Sequence, residues 1–251
     1  MSQVYQYRVS RAQLLGTRSR QEDATSLSST ELFDEKGLLL VLADGMGGMA
    51  DGHVFSRLVT EEMQRAFAAA PSTEDMQEVL ACCFHAAQEK AVRLNRDAED
   101  EGGATVVAVL IREDRCAFLC AGDSSLALVR NGGLIWLNRP QVMGVRLDEN
   151  VALGYLSQAD VQGNALRDAV IGYAGASAAF ACDICTQPFR LIPGDRIALM
   201  SDGVTGTLGA TELLPLLMLP RERAAKEIIR AVEQKNKPEQ DNGSILLAVV
   251  E

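Results

Sequence analysis

The sequence predicts an α+β protein in which helices are grouped between antiparallel strands. Three observations carry this: uninterrupted apolar runs of strand length, two successive stretches of helical periodicity after the first run, and later turns too short to hold a crossover helix. Residues 38–43 are all apolar, bounded by Gly37 and Asp44-Gly45, and read as a buried strand ending in a tight turn. A helix is expected over 52–70, with Val54, Leu58, Met63 and Phe67 as its apolar side and Pro71 closing it. The next begins at Ser72, with Asp75 three residues on as an approximate capping box, and brings Met76, Val79, Leu80, Phe84, Ala87 and Ala91 to one side.

After a polar break at 96–103 come three β-like runs, 104–111, 116–121 and 126–129, and Asn131-Gly132-Gly133 turns the chain into a fourth at 134–137. The pattern weakens over 138–188, where Gly, Ala and Ser crowd between 171 and 181. A strand at 196–200, helices at 211–217 and 221–234 and a strand at 244–250 complete the reading. With no low-complexity linker and no repeat, a single domain over 1–251 is expected.

The charge balance narrows the function classes. Against 24 Lys+Arg stand 34 Asp+Glu, a formal net charge of −10. A nucleic-acid backbone or an anionic membrane as main partner would need a basic footprint, so neither is expected. Composition, 47% hydrophobic and 23% charged, is that of a globular chain. The longest uncharged apolar stretches, 37–43, 102–111 and 244–250, fall short of a membrane span, and residues 1–15 lack the apolar core of a signal peptide. A cytoplasmic protein with reduced thiols is expected. Cys182 and Cys185 form a lone CxxC without a second pair at zinc-ligand spacing, and Cys116 and Cys120 share one strand face. Small buried apolar side chains are the better reading of both, and of Cys82 and Cys83 in the second helix.

The informative pattern is acidic. Asp44, Asp123 and Asp202 each follow an apolar strand, and Asp241 precedes one, with a glycine beside or near each. One such Asp is a turn former. Four of them, if their strand ends converge, would repel one another unless a hard divalent cation sits among them. His53 and His85 are the only histidines and show no zinc-type pairing, so the ligand set is oxygen and Mg²⁺ or Mn²⁺ is favoured over Zn²⁺. Two such ions about 4 Å apart would acidify a shared water for in-line attack on phosphorus.

In order and spacing, Arg18-Ser19-Arg20-Gln21-Glu22-Asp23, Asp44-Gly45-Met46-Gly47-Gly48, Gly103-Ala104-Thr105, Gly122-Asp123-Ser124, Ser201-Asp202-Gly203 and Asp241-Asn242-Gly243-Ser244 resemble the motifs of the metal-dependent, type 2C protein Ser/Thr phosphatases. The resemblance spans nearly the whole chain. It implies a four-layer α-β-β-α sandwich, two antiparallel sheets between helix pairs, with the metal site at one edge. It further implies hydrolysis of phosphoserine and phosphothreonine by a metal-bridging hydroxide, without a phosphoenzyme, on phosphorylated proteins that include a Ser/Thr kinase or its substrates.

Residue by residue, the resemblance makes Asp44 the carboxylate that bridges two Mg²⁺ or Mn²⁺ ions and Gly45 a carbonyl ligand. Asp202 and Asp241 are then the remaining direct ligands. Glu22, and Asp23 behind it, would hold metal-bound waters. Arg18 matches the arginine that grips the substrate phosphate, a task suited to its planar fork. Asp123 matches a ligand of a third, weaker ion, while Gly206 replaces an Asp that some members carry four residues after the ligand matched by Asp202. Met46 stands where animal members have a His proposed as general acid, so the leaving oxygen would take its proton from a metal-bound water or another group. Two other readings stay open on the residues: a non-catalytic phosphoprotein-binding relative, and a hydrolase of small-molecule phosphomonoesters.

Overall fold

The computed structural model describes residues 6–47, 52–96, 101–178, 180 and 182–251. Gly48, the last residue of the Asp44 motif, and part of the polar break at 96–103 lie outside the described residues, as do 179 and 181 of the small-residue stretch. Strands β1 (Tyr7–Leu14) and β2 (Asp23–Leu27) come first, then helix α1 (Thr30–Lys36), strand β3 (Leu38–Gly47) and the long helices α2 (Gly52–Ala69) and α3 (Met76–Arg96). A run of strands follows: β4 (Gly102–Ala104), β5 (Val106–Arg112), β6 (Arg115–Ala121), β7 (Ser125–Arg130) and β8 (Gly133–Trp136). Helices α4 (Met143–Ala152) and α5 (Gln158–Val161) lead to β9 (Asp183–Ile184), β10 (Phe189–Arg190) and β11 (Arg196–Met200). Helices α6 (Asp202–Thr205), α7 (Ala210–Leu217) and α8 (Arg221–Gln234) precede β12 (Gly243–Val250).

Among the described residues the strands form two sheets, β1-β12-β11-β7-β8 and β10-β6-β5-β3-β2, with β4 beside β3 and β9 beside β6. The pairings between these strands are antiparallel. The central strands are apolar throughout because both of their faces are covered. In β3, Leu39, Val41 and Ala43 pack against α2 and α3 through Val59, Met63, Phe67, Val79 and Leu80. The alternate residues Leu38, Leu40 and Leu42 meet Leu126, Ile197, Leu199 and Leu246 of the other sheet. Beyond that sheet, Ala198, Met200, Ile245 and Leu247 pack on Leu213, Leu217, Ile228 and Val232 of α7 and α8. The result is four layers, α-β-β-α, each large side chain in them worth about 1.5–3 kcal/mol of burial.

The structure corrects four local expectations. The strand at 38–43 does not turn at Asp44-Gly45: β3 runs on to Gly47 because Gly45, Met46 and Gly47 pair with β4. The run 104–111 is broken at Thr105, whose backbone N–H and side-chain oxygen are both engaged by the backbone of Asp44. α3 starts at Met76 and not at Ser72, since Asp75 is the residue whose carboxylate accepts from the Gln77 N–H, at 2.9 Å. Cys82 is exposed although Cys83 beside it is buried, because successive helical residues point about 100° apart. Cys116 and Cys120 are both buried between the sheets, as their even spacing predicts. No helix among the described residues is long and apolar enough to cross a membrane.

Candidate active site

Asp44 leaves the middle of β3, Asp123 lies in the turn between β6 and β7, Asp202 opens α6 directly after β11, and Asp241 stands just before β12. Two of these strands belong to one sheet and two to the other. Their ends meet in a cleft of about 500 Å³ that Arg18, Glu22, Asp44, Gly45, Asp123, Asp202 and Asp241 all line. Asp23 sits behind it, paired with Asp44 in the β2–β3 register and only 6% exposed.

Close backbone contacts seat the pieces. Gly16, in the left-handed region at φ 65°, lets the β1–β2 loop press on residues 240–241; a Cβ there would lie 2.3 Å from the Gln240 carbonyl oxygen. A Cβ on Gly45 would lie 2.0 Å from the Gly52 carbonyl oxygen, so no larger residue fits where β3 meets the start of α2. Asn242, buried, ties the loops together. Its Oδ1 accepts from the Glu22 N–H at 2.7 Å and its Nδ2 donates to the Leu15 carbonyl at 2.8 Å. Its own N–H donates to Asp241 Oδ1 at 2.8 Å. On the other side, Thr105 Oγ1 accepts from the Asp44 N–H at 3.0 Å and lies 2.7 Å from Ser124 Oγ, which links β3 to the turn holding Asp123.

Electrostatically the cleft is overloaded with negative charge. Burial, then the charges of Asp23, Asp202 and Asp123, push the Asp44 carboxyl well above the usual range. Burial, then Asp241, raises Asp202 too, so the neighbouring Asp44 and Asp202 carboxyls are both pushed toward protonation. Burial, then Asp202 and Asp241, lifts Asp123 to about 6. Burial lifts Asp23 to about 6 as well. Its Oδ2 accepts from Ser201 Oγ at 2.9 Å, while its buried Oδ1 makes no hydrogen bond. Among the described residues Arg18 is the one cationic side chain lining the cleft; its Nη2 donates to Asp241 Oδ2 at 2.6 Å, and that pair raises its own pKa.

Among the described residues no group of three His, Cys, Asp or Glu side chains stands at metal-holding geometry. The donor chemistry still fits a hard divalent cation. It is all oxygen, its crowded carboxyls are pushed toward protonation by burial and mutual repulsion, and behind it Asp23 keeps a buried carboxylate oxygen without a hydrogen bond. Sequence reasoning did not assign the other wall, where Glu101, Gly102, Asp168, Val170 and Tyr173 line the cleft. Asp168, Val170 and Tyr173 come from the weakly patterned part of the chain. The bridging role of Asn242 was also hidden, because an Asn before Gly reads first as a turn.

The family model for protein phosphatase 2C matches residues 16–245, nearly the full span from the β1–β2 loop to β12. The chain belongs to the protein phosphatase 2C family. This phosphatase 2C chain is 23% identical over 214 residues to the serine/threonine phosphatase stp of Listeria welshimeri, covering 83% of each. Its fold is that of the catalytic domain of the serine threonine protein phosphatase PstP, solved in complex with two manganese ions. The TM-score is 0.77 at 24% identity, over 98% of this chain and 99% of that one. The serine/threonine phosphatase of S. agalactiae superposes with a TM-score of 0.82 at 22% identity, over 98% of this chain and 100% of that one. The expected four-layer sandwich is thus borne out for this phosphatase 2C chain by its own layers and by these neighbours.

Proposed function

We propose that this protein is a Mg²⁺- or Mn²⁺-dependent protein serine/threonine phosphatase, acting in the cytoplasm as one catalytic domain on phosphorylated proteins, a Ser/Thr kinase or its substrates among them. The observation that carries the reading is a cleft in which carboxylates from both sheets face one arginine. Family membership and the Ser/Thr phosphatase activity named for the Listeria relative support it. Manganese in the PstP neighbour supports the choice of metal.

In this reading Asp44, the Gly45 carbonyl, Asp202 and Asp241 hold two ions, with Glu22 and Asp23 behind them and Asp123 available to a third. Divalent ions there would supply Lewis-acid charge at the phosphoryl group and an acidified water. The protein's own part is positioning and charge. Asp44 would hold the ions as a carboxylate, and Arg18 would exchange Asp241 for two phosphate oxygens, orienting the phosphoryl group. Met46 lines the cleft but carries no proton to give, so it contributes shape only.

The test is release of phosphate from a phosphothreonine peptide with Mn²⁺, with and without chelator, by the native chain and by Asp44→Asn. Chelator-sensitive turnover that drops by roughly 10³-fold or more in the variant is expected, the scale of losing a principal electrostatic element. No turnover with either metal, or full turnover by Asp44→Asn, would overturn the reading.

A further inference from the structure

A second and larger cavity, of about 750 Å³, lies against the same chain segment that walls the cleft. Asp168, Val170 and Tyr173 line the cleft, whereas Ile171 and Gly172 line the cavity. Backbone pairing fixes this shared wall: Met143 N–H donates to the Ala169 carbonyl at 2.8 Å, Gly144 N–H to Arg167 at 2.7 Å and Ile171 N–H to Gln141 at 2.9 Å. Gln141 in turn is tied both ways to Gly122, the residue before Asp123, by its N–H at 2.9 Å and its Oε1 at 3.1 Å.

The cavity's floor is apolar, made by the half-buried Val142, Val145, Ile171 and Phe180. Its charged lining is Arg139, Arg146, Glu149 and Asp183; the Arg139 guanidinium pairs with Glu149 at 3.3 Å and the Arg139 N–H donates to Asp183 Oδ2 at 3.3 Å. Arg146, one helical step from Val145, is exposed and makes no ion pair among the described residues. An apolar hollow of this size beside one free guanidinium matches an apolar side chain followed or preceded by a carboxylate.

We propose that this cavity is a second recognition subsite for the phosphoprotein, taking an apolar side chain with an acidic neighbour. The inference rests on the phosphoprotein reading of the cleft. The occupant follows from continuity: one chain segment, 168–173, lines the cleft with Asp168, Val170 and Tyr173 and the cavity with Ile171 and Gly172. A chain whose phosphoresidue sits in the cleft therefore meets the cavity with residues that neighbour the phosphoresidue in sequence. A free small molecule would need no such proximity.

The test is kcat/KM with Mn²⁺ on phosphothreonine peptides in which a single Leu is moved from four residues before the phosphoresidue to four after it in an Ala background, with Glu or Lys beside the Leu. One position should raise kcat/KM about tenfold, the usual discrimination of an apolar pocket, and Glu beside it should beat Lys. Val145→Trp, which fills the cavity, should abolish the Leu gain, and Arg146→Glu should invert the Glu-over-Lys preference. Arg146 is exposed, so that variant carries the test if Val145→Trp fails to fold. Hydrolysis of p-nitrophenyl phosphate, which has no flanking residues, reports in each variant whether the metal cleft works. A flat Leu scan on peptides that are hydrolysed overturns the subsite and leaves the phosphatase reading standing, as does a Leu gain and charge preference unchanged in both variants. If no phosphopeptide is hydrolysed while p-nitrophenyl phosphate is, the phosphoprotein reading falls and the subsite with it.

Discussion

Asp44 feels the charges of Asp202 and Asp123 in the cleft and of Asp23 behind it, and its raised pKa is a statement about stability as well as chemistry. Without metal, the folded protein holds protons on Asp44, Asp23 and Asp123 at pH values where the unfolded chain, titrating near 4, has released them. Native binds more protons than unfolded in that window, so these groups cost stability progressively as pH rises from about 4 through 6 and beyond. In chelator-treated samples Asp44→Asn should therefore melt above the native chain, by a margin that grows between pH 5 and pH 7.5. A margin that shrinks over that range contradicts the argument. Asn242→Ala removes two buried hydrogen bonds, to Glu22 and Leu15, at about 1 kcal/mol each. Because the tethered loop carries Arg18, KM for p-nitrophenyl phosphate should rise several-fold with a smaller change in kcat, measurable by steady-state kinetics. At this scale the acids were legible because each stands where an apolar strand meets a glycine-bearing turn. Glu101, Asp168 and Tyr173 were not, since nothing local in sequence says that their segments fold back over β3.

Among the elements, the joint between the sheets at β7, β10 and β11 depends on one ion pair. Asp195 is 1% exposed and receives Arg130 through two bonds, Nε at 2.9 Å and Nη2 at 2.6 Å. The same guanidinium donates to the Arg190 carbonyl of the other sheet at 2.7 Å. Asp195→Ala leaves that charge without its partner and should cost about 3 kcal/mol, a fall in Tm of roughly 6–12 °C seen by thermal melting, with the carboxylate cleft untouched. The buried strands β3, β5, β11 and β12 were readable because both faces are covered and the runs are unbroken. β1 was not: its Tyr-Arg-Val-Ser-Arg-Ala-Gln-Leu sequence belongs to an edge strand with half-exposed residues, and its weak alternation resembles a loop. α4 and α5 were missed for a related reason. They bury one residue each, and Leu153, Tyr155 and Leu166 around them stay 68%, 77% and 62% exposed, so no apolar period marks them.

For the molecule as a whole, metal binding in the proposed site should add stability. A cation at 100 times its dissociation constant adds about 2.7 kcal/mol, which should raise Tm by roughly 5–11 °C. Calorimetric scans with Mn²⁺ and then with excess chelator would measure it, and a Tm indifferent to both would refute it. The layer order was legible only through the family resemblance, because antiparallel pairing between neighbours in sequence does not say how two sheets stack. The topology also fixes when the molecule can work. β12 lies between β1 and β11, pairing along its length with residues more than two hundred positions earlier, so the five-stranded sheet stays split until that late segment is in place. Such distant pairing forms late in folding, and Asp241 arrives with it. On the proposed reading of the cleft, a chain in which β12 has not yet paired would hold Asp44 without Asp241 and so would be inactive until that strand docks.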